Sequence, residues 1–130
     1  MPRAVFGALV FFCVLAGVAA GAPQSDPCKT RANQLELTQC ADRELAKSDA
    51  ALNQTYRKLV ADLDDEHRPI LQKAQRAWIV FRDAECALQA SVALGGSMSG
   101  MLASECRAGM SDVRVKELKT LRTSLADFLR

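Results

Sequence analysis

Four polar side chains in this sequence are of the kinds that perform acid–base chemistry: Asp49, Asn53, Arg82 and Asp83. Two carboxylates beside a guanidinium could act as general acid and base if a fold brought them to one pocket. No nucleophile with a neighbouring base accompanies them, and no glycine-rich phosphate loop. Between packed helices, a carboxylate facing an arginine more often forms an ion-pair and hydrogen-bond layer. The residues therefore read as non-catalytic, and the chain as a protein that is not an enzyme. Asp83 adjoins Arg82 in sequence, so the two should point to different faces of a helix, with Asp83 the more exposed.

The remaining candidates reduce in the same way. His67 stands among Asp64, Asp65 and Glu66, but one histidine is a poor metal site and the acidic run reads as a solvated turn. Cys28, Cys40, Cys86 and Cys106 are separated by 12, 46 and 20 positions, with no Cys-x-x-Cys pair. That spacing favours two disulfides over zinc, so neither a metal nor another cofactor is expected. Tyr56 and Trp78 could line a ligand pocket, although aromatics on an amphipathic stripe are core residues first. Gly95, Gly96, Ser97, Met98 and Met101 form a more open case. They fit a plain helix–helix turn and equally a protein-contact edge presenting methionines.

The elements that must position these residues are helices. Leu45, Asp49, Leu52, Tyr56, Leu59 and Leu63 recur at steps of four and three, which is one face of a helix starting near Asn33. Pro69 should end that helix and open a second, running from about Pro69 to Ala93. The apolar line of the second helix reads Ala74, Trp78, Phe81, Ala84 or Glu85, and Leu88. Gly95-Gly96-Ser97 then breaks the chain. A third helix spans about Met98 to Leu129, its face reading Leu102, Cys106, Met110, Val113, Leu118, Leu121, Leu125 and Phe128, with a slip of phase near Arg114. Nothing reads as a strand. The expected fold is all-α, an up-down-up three-helix antiparallel bundle stapled by two disulfides.

Residues 1–20 read as a cleaved signal peptide, with Arg3 ahead of an apolar run too short for a comfortable membrane span and small residues at its exit. Cleavage is expected after Ala20, or as far on as Ala22. Val10-Phe11-Phe12 is too bulky for a lipidation signal ahead of Cys13. Residues 21–32 form a leader expected to be mobile, and 33–130 the helical domain. The full chain has 17 basic and 15 acidic residues; without Arg3 the balance is 16 to 15. Near-neutrality argues against nucleic acid, which calls for a clustered basic face. Export places the domain in an oxidising compartment, periplasmic or secreted, with no stable membrane anchor after cleavage.

Helix geometry selects among the three possible cysteine pairings. With the second turn centred near Gly96, Cys86 and Cys106 lie ten residues either side and are level across the second and third helices. With the first turn centred near His67, Cys40 falls level with Leu94, eight residues and ~12 Å from Cys86, beyond the ~7 Å limit for bridged Cα atoms. Cys86–Cys106 follows, and Cys28–Cys40 by elimination. The same levelling sets Tyr56 opposite Trp78, brings Asp49 within reach of Arg82 and places Arg114 level with Trp78. Asp49, Asn53, Tyr56, Gln75, Trp78, Arg82, Asp83 and Arg114 are thus expected to form a structural polar layer joining the helices.

The sequence resembles the lysozyme inhibitor LprI-like N-terminal domain family of small exported bacterial domains. The matching pieces are Gln34-x-Glu36-Leu37-x-x-Cys40-Ala41 and Ala46-x-x-Asp49-x-x-Leu52-Asn53-x-x-Tyr56. They continue through Leu71-x-x-Ala74-Gln75-x-Ala77-Trp78-x-x-Phe81-Arg82-Asp83-x-x-Cys86, the Gly95-Gly96-Ser97 turn, Glu105-Cys106 and Arg114-x-x-x-Leu118. The resemblance implies an exported binding domain with a protein partner, a lysozyme, and it transfers no catalytic or inhibitory residue. The alternative is an envelope structural or regulatory protein-interaction domain with another partner. Peptide mapping of the oxidised mature protein is expected to return Cys28–Cys40 and Cys86–Cys106; a Cys28–Cys86 peptide would contradict the helix register.

Overall fold

The computed structural model describes Cys28 and residues 33–128, so the expected signal segment and nearly all of the leader lie outside the described residues. Three α-helices make up the described fold: α1 (Gln34–Asp62), α2 (His67–Ala90) and α3 (Ser99–Phe128). A single 3-10 turn, Ser91–Ala93, extends α2. The fold is all-helical, and among the described residues there is no strand.

Local chemistry sets the helix ends. Asn33 caps α1 with its side chain on the Glu36 backbone N–H at 3.0 Å, and Glu36 reaches back to the Asn33 N–H at 3.2 Å, a reciprocal capping box. At the other end of α1, Arg68 donates to the carbonyls of Leu63 (2.6 Å) and Val60 (3.2 Å), closing groups the helix leaves open. α2 starts two residues before the expected Pro69. Asp64 Oδ1 accepts from the backbone N–H groups of Glu66 and His67, which brings the chain into helical geometry earlier. The His67 N–H, and then the His67 ring, hold the Asp64 carboxyl below its ordinary value. After the 3-10 turn, Gly95 takes φ 77°, a left-handed conformation that favours glycine.

Cross-helix pairs reveal the course of the chain. Between α1 and α3 the partners rise together: Gln34 with Met101, Asp42 with Ser104, Asp49 with Ser111, Asp62 with Arg122. Between α2 and α3 they run oppositely, Gln75 with Arg114 and Cys86 with Cys106. These pairings are compatible with an up-down-up bundle. Both disulfides have the pairing that levelling selects, with Cα–Cα distances of 5.6 Å for Cys28–Cys40 and 5.5 Å for Cys86–Cys106. Met110 Sδ packs 3.5 Å from Cys86 Sγ, and Arg43 Nη2 lies 3.0 Å from Cys40 Sγ.

The core has two parts. Towards the α1–α2 turn, Leu52, Leu59, Leu63, Leu71 and Leu118 form a leucine cluster, with Tyr56, Val60, Trp78, Val115 and Leu125 packed on it. Towards the disulfides the buried residues are small: Ala41 and Ser48 on α1, Ser104, Ala108 and Ser111 on α3. Small side chains let α1 and α3 approach closely, and Ser104 Oγ donates to Asp42 Oδ1 at 2.6 Å across that contact. This close seam corrects part of the expected face of α3. Leu118 is fully buried and Leu125 packs on the leucine cluster as expected, but Val113 is 54 % exposed and Leu121 39 %, because the helix also turns Ser104, Ala108 and Ser111 inward. The Phe128 side chain lies outside the described residues.

The expected apolar line of α2 is also corrected. Leu71, Gln75, Arg82, Cys86 and Ala90 are buried, whereas Ala74, Phe81, Ala84 and Leu88 are exposed. Only Trp78, half-buried, belongs to both lines. Arg82 can occupy the inner face because partners on all sides accept its charge. Ala108→Leu is expected to destabilise the domain by about 1–3 kcal/mol through overpacking of the α1–α3 seam. Val113→Lys, at an exposed position, should change stability by less than about 0.5 kcal/mol. Chemical denaturation checks both.

Candidate functional site

Arg82 is the centre of the polar layer. Its side chain comes from the inner face of α2 and is only 10 % exposed. Nη1 donates to Asp49 Oδ1 on α1 at 2.8 Å and to Ser111 Oγ on α3 at 2.9 Å. The serine hydroxyl in turn donates to the same Asp49 oxygen at 2.9 Å. Three helices thus meet in a closed triangle of hydrogen bonds, each with a charged member. The other edge of the guanidinium meets Asp83, with Nε at 3.1 Å and Nη2 at 3.0 Å from Oδ1. Arg107 Nε approaches that Asp83 oxygen at 3.4 Å.

Trp78 lies between two cations. The guanidinium carbons of Arg82 and Arg114 each sit 5.5 Å from its ring centroid, within cation–π range. Arg114 Nε donates to Gln75 Oε1 at 3.2 Å and its Nη1 to Glu117 Oε2 at 2.8 Å. The layer therefore unites Asp49, Gln75, Trp78, Arg82, Asp83 and Arg114 from the sequence reading, and adds Arg107, Ser111 and Glu117. Ser111 is fully buried. Its signal was the seven-residue step from Ser104, the repeat of a close helix contact.

Three expectations come out differently. Asn53 is exposed and takes no part in the triangle, since it sits a further ~40° around α1 from Asp49, away from the buried face. Asp83 is partly exposed as expected, yet it bends back onto Arg82 instead of facing elsewhere. Tyr56 and Trp78 both pack on the leucine cluster, but the ring partners of Trp78 among the described residues are guanidinium groups.

Chemically, the triangle is saturated. No buried side-chain polar atom among the described residues lacks a partner, so none points into a pocket awaiting substrate. The cavities lie away from the triangle, although Arg114 of the layer borders one of them. A groove of about 410 Å³ between α1 and α3 is lined by Gln54, Lys58, Lys119 and Arg122 among others, and a smaller one of about 210 Å³ by Leu63, Ile70, Leu71 and Leu125. Neither receives the layer's carboxylates. His67 Nδ1 lies 2.7 Å from Asp64 Oδ1 as part of the turn, and among the described residues no group of three His, Cys, Asp or Glu side chains could hold a metal ion.

The Gly95 loop is at the disulfide end. Val92 and Leu94 protrude beside it, and Met98 is exposed. Met101, by contrast, is half-buried: Gln34 Nε2 on α1 reaches its sulfur at 3.5 Å. Thr38 Cγ2 likewise lies 3.8 Å from where a Cβ would stand on Gly100. The loop thereby abuts the first turns of α1, where Cys40 holds Cys28.

The family comparison matches residues 25–118, spanning this layer, all four cysteines and the loop; the matching family is described as lysozyme inhibitor LprI. The chain belongs to the LprI family. An uncharacterised protein of Rhizobium meliloti (strain 1021) is 40 % identical over 128 aligned residues, covering 88 % of this chain and 91 % of that protein. No solved structure matches the chain. Among the described residues no helix is long and apolar enough to cross a membrane.

Within this LprI-family domain, Arg82→Ala is expected to cost about 1–3 kcal/mol, because it removes a partner of the buried Ser111 and of Asp49, whose side chain is 38 % exposed and is partly solvated in its place. Asp49→Ala should also destabilise, and the double variant should lose less than the sum, with a coupling of about 1–3 kcal/mol. Urea titration of the four proteins measures this; additive losses would separate Asp49 from Arg82.

Proposed function

We propose that the protein is an exported, non-enzymatic binding domain that inhibits a lysozyme in the periplasm or outside the cell. The observation that carries this reading is the LprI family match over residues 25–118. The apolar, small-residue-terminated segment at residues 1–20 and the two disulfides support export. The domain is read as an up-down-up bundle whose two staples make it a rigid presenter of surface. The buried polar atoms of its layer all have partners, which favours a structural role for the layer over a catalytic one.

The contact surface is assigned to the disulfide end. Leu94 is 84 % exposed at the tip of the loop, next to the left-handed Gly95, and the Cys86–Cys106 bridge anchors both flanking helices. A glycosidase cleft carries two carboxylates flanking the scissile bond, and a rigid apolar projection seated there would exclude the sugar and desolvate them. Preorganisation by the bridge lowers the ordering cost of such a loop on binding.

The mature protein, titrated into lysozyme assays of several types, is expected to inhibit at least one at micromolar excess. Leu94→Asp should raise the inhibition constant tenfold or more, about 1.4 kcal/mol, while leaving the melting temperature unchanged. Absence of inhibition against every type would overturn the reading in favour of another envelope partner.

A further inference from the structure

α2 carries two apolar faces, and the bundle covers one of them. The uncovered face reads Ile70, Ala74, Ala77, Phe81, Ala84 and Leu88, and all six are exposed. Their steps alternate four and three without interruption, which is the a/d repeat of a helix-pairing seam. Phe81 at its middle is 57 % exposed, and Ile70, Val80 and Leu88 more so. A run of large apolar side chains on one outer helix face, at this spacing, exceeds the scattered exposure that needs no explanation.

We propose that this face is the contact between two copies of the chain, paired through antiparallel α2 helices about a two-fold axis beside Ile79. The self-complementarity of the seam argues for a second copy as the occupant. With the axis beside Ile79, Leu88 lies level with Ile70 of the second copy, Phe81 with Ala77, and Ala74 with Ala84. Each phenyl ring then sits over an alanine, whereas parallel pairing would stack phenyl on phenyl between alanine layers. Val80 sits about 80° around α2 from the seam, at the rim of the contact.

The charges bordering the seam are consistent with this arrangement. Lys73 and Glu85 flank the apolar line, and antiparallel pairing sets each about 18 Å along the axis from its own image, beyond a Debye length of ~8 Å. A stable interface needs about 1,200 Å² in total, about 600 Å² a side, and a seam running ~27 Å from Ile70 to Leu88 is of that extent. The contact lies on the side of α2 and leaves the loop tip at Leu94 free, so it stands or falls apart from the inhibitor reading.

Sedimentation equilibrium of the mature protein at about 100 μM should give twice the chain mass, as expected of micromolar association. Phe81→Asp should restore the monomer mass with an unchanged helical spectrum, since Phe81 is outside the core, and should melt where the unaltered protein melts once diluted well below its dissociation constant. Orientation is read by oxidising Ile70→Cys and Leu88→Cys proteins together. A mixed disulfide is expected, with far less cross-linking by either protein alone. A monomer at that concentration, a dimer that survives Phe81→Asp, or equal cross-linking by each single variant would overturn the proposal. So would a monomeric parent protein whose lysozyme inhibition Phe81→Asp abolishes, because the face would then belong to the partner.

Discussion

A guanidinium enclosed by three helices tolerates few arrangements of those helices. Arg82 must be met by an anion and by acceptors at each of its edges, because a stranded charge in that position costs several kcal/mol. α1 supplies Asp49, α2 itself Asp83, and α3 Ser111, all within 3.1 Å. A one-residue slip of any helix would turn its contributor by ~100° and break the triangle. The leucine cluster supplies more of the burial, but it is indifferent to such detail. The polar layer fixes register; the apolar cluster supplies cohesion.

The division shows along the bundle. On the side of the α1–α2 turn, Leu52, Leu59, Leu63, Leu71 and Leu118 make an ordinary leucine core. On the other side the helices draw together over Ala41, Ser48, Ser104 and Ala108, where little apolar volume is available. The two disulfides are placed at that end, each contributing about 2–4 kcal/mol in a domain this small. Covalent bridges thus compensate for a thin core where α1 and α3 come closest. They also brace the Gly95 loop, the surface assigned above to partner contact.

The three helices, the turns and both cysteine pairings were legible in the sequence because they follow from periodicity and from distance along helices. The inner face of α2 was not, and on α3 only the leucine end, Leu118 and Leu125, was. An apolar line on α2 looked like a core stripe, yet Phe81 and Leu88 point outward and Arg82 inward. Periodicity measures where apolar residues gather and is blind to a buried charge whose partners sit on other chain segments. On α3 the inward positions are Ser104, Ala108 and Ser111, which hydropathy scores as neutral. Asn53 failed for a simpler reason: four residues from Asp49 is near the same face, but not on it.

If the Arg82 layer binds the three helices into one cooperative unit, weakening it must loosen all of them together. Native-state amide hydrogen exchange on Asp49→Ala, compared with the unaltered protein, tests this most directly. The account predicts that protection at Leu59 in α1, Cys86 in α2 and Leu118 in α3 falls by the same free energy. A loss confined to α1, with Cys86 and Leu118 unchanged, would contradict it.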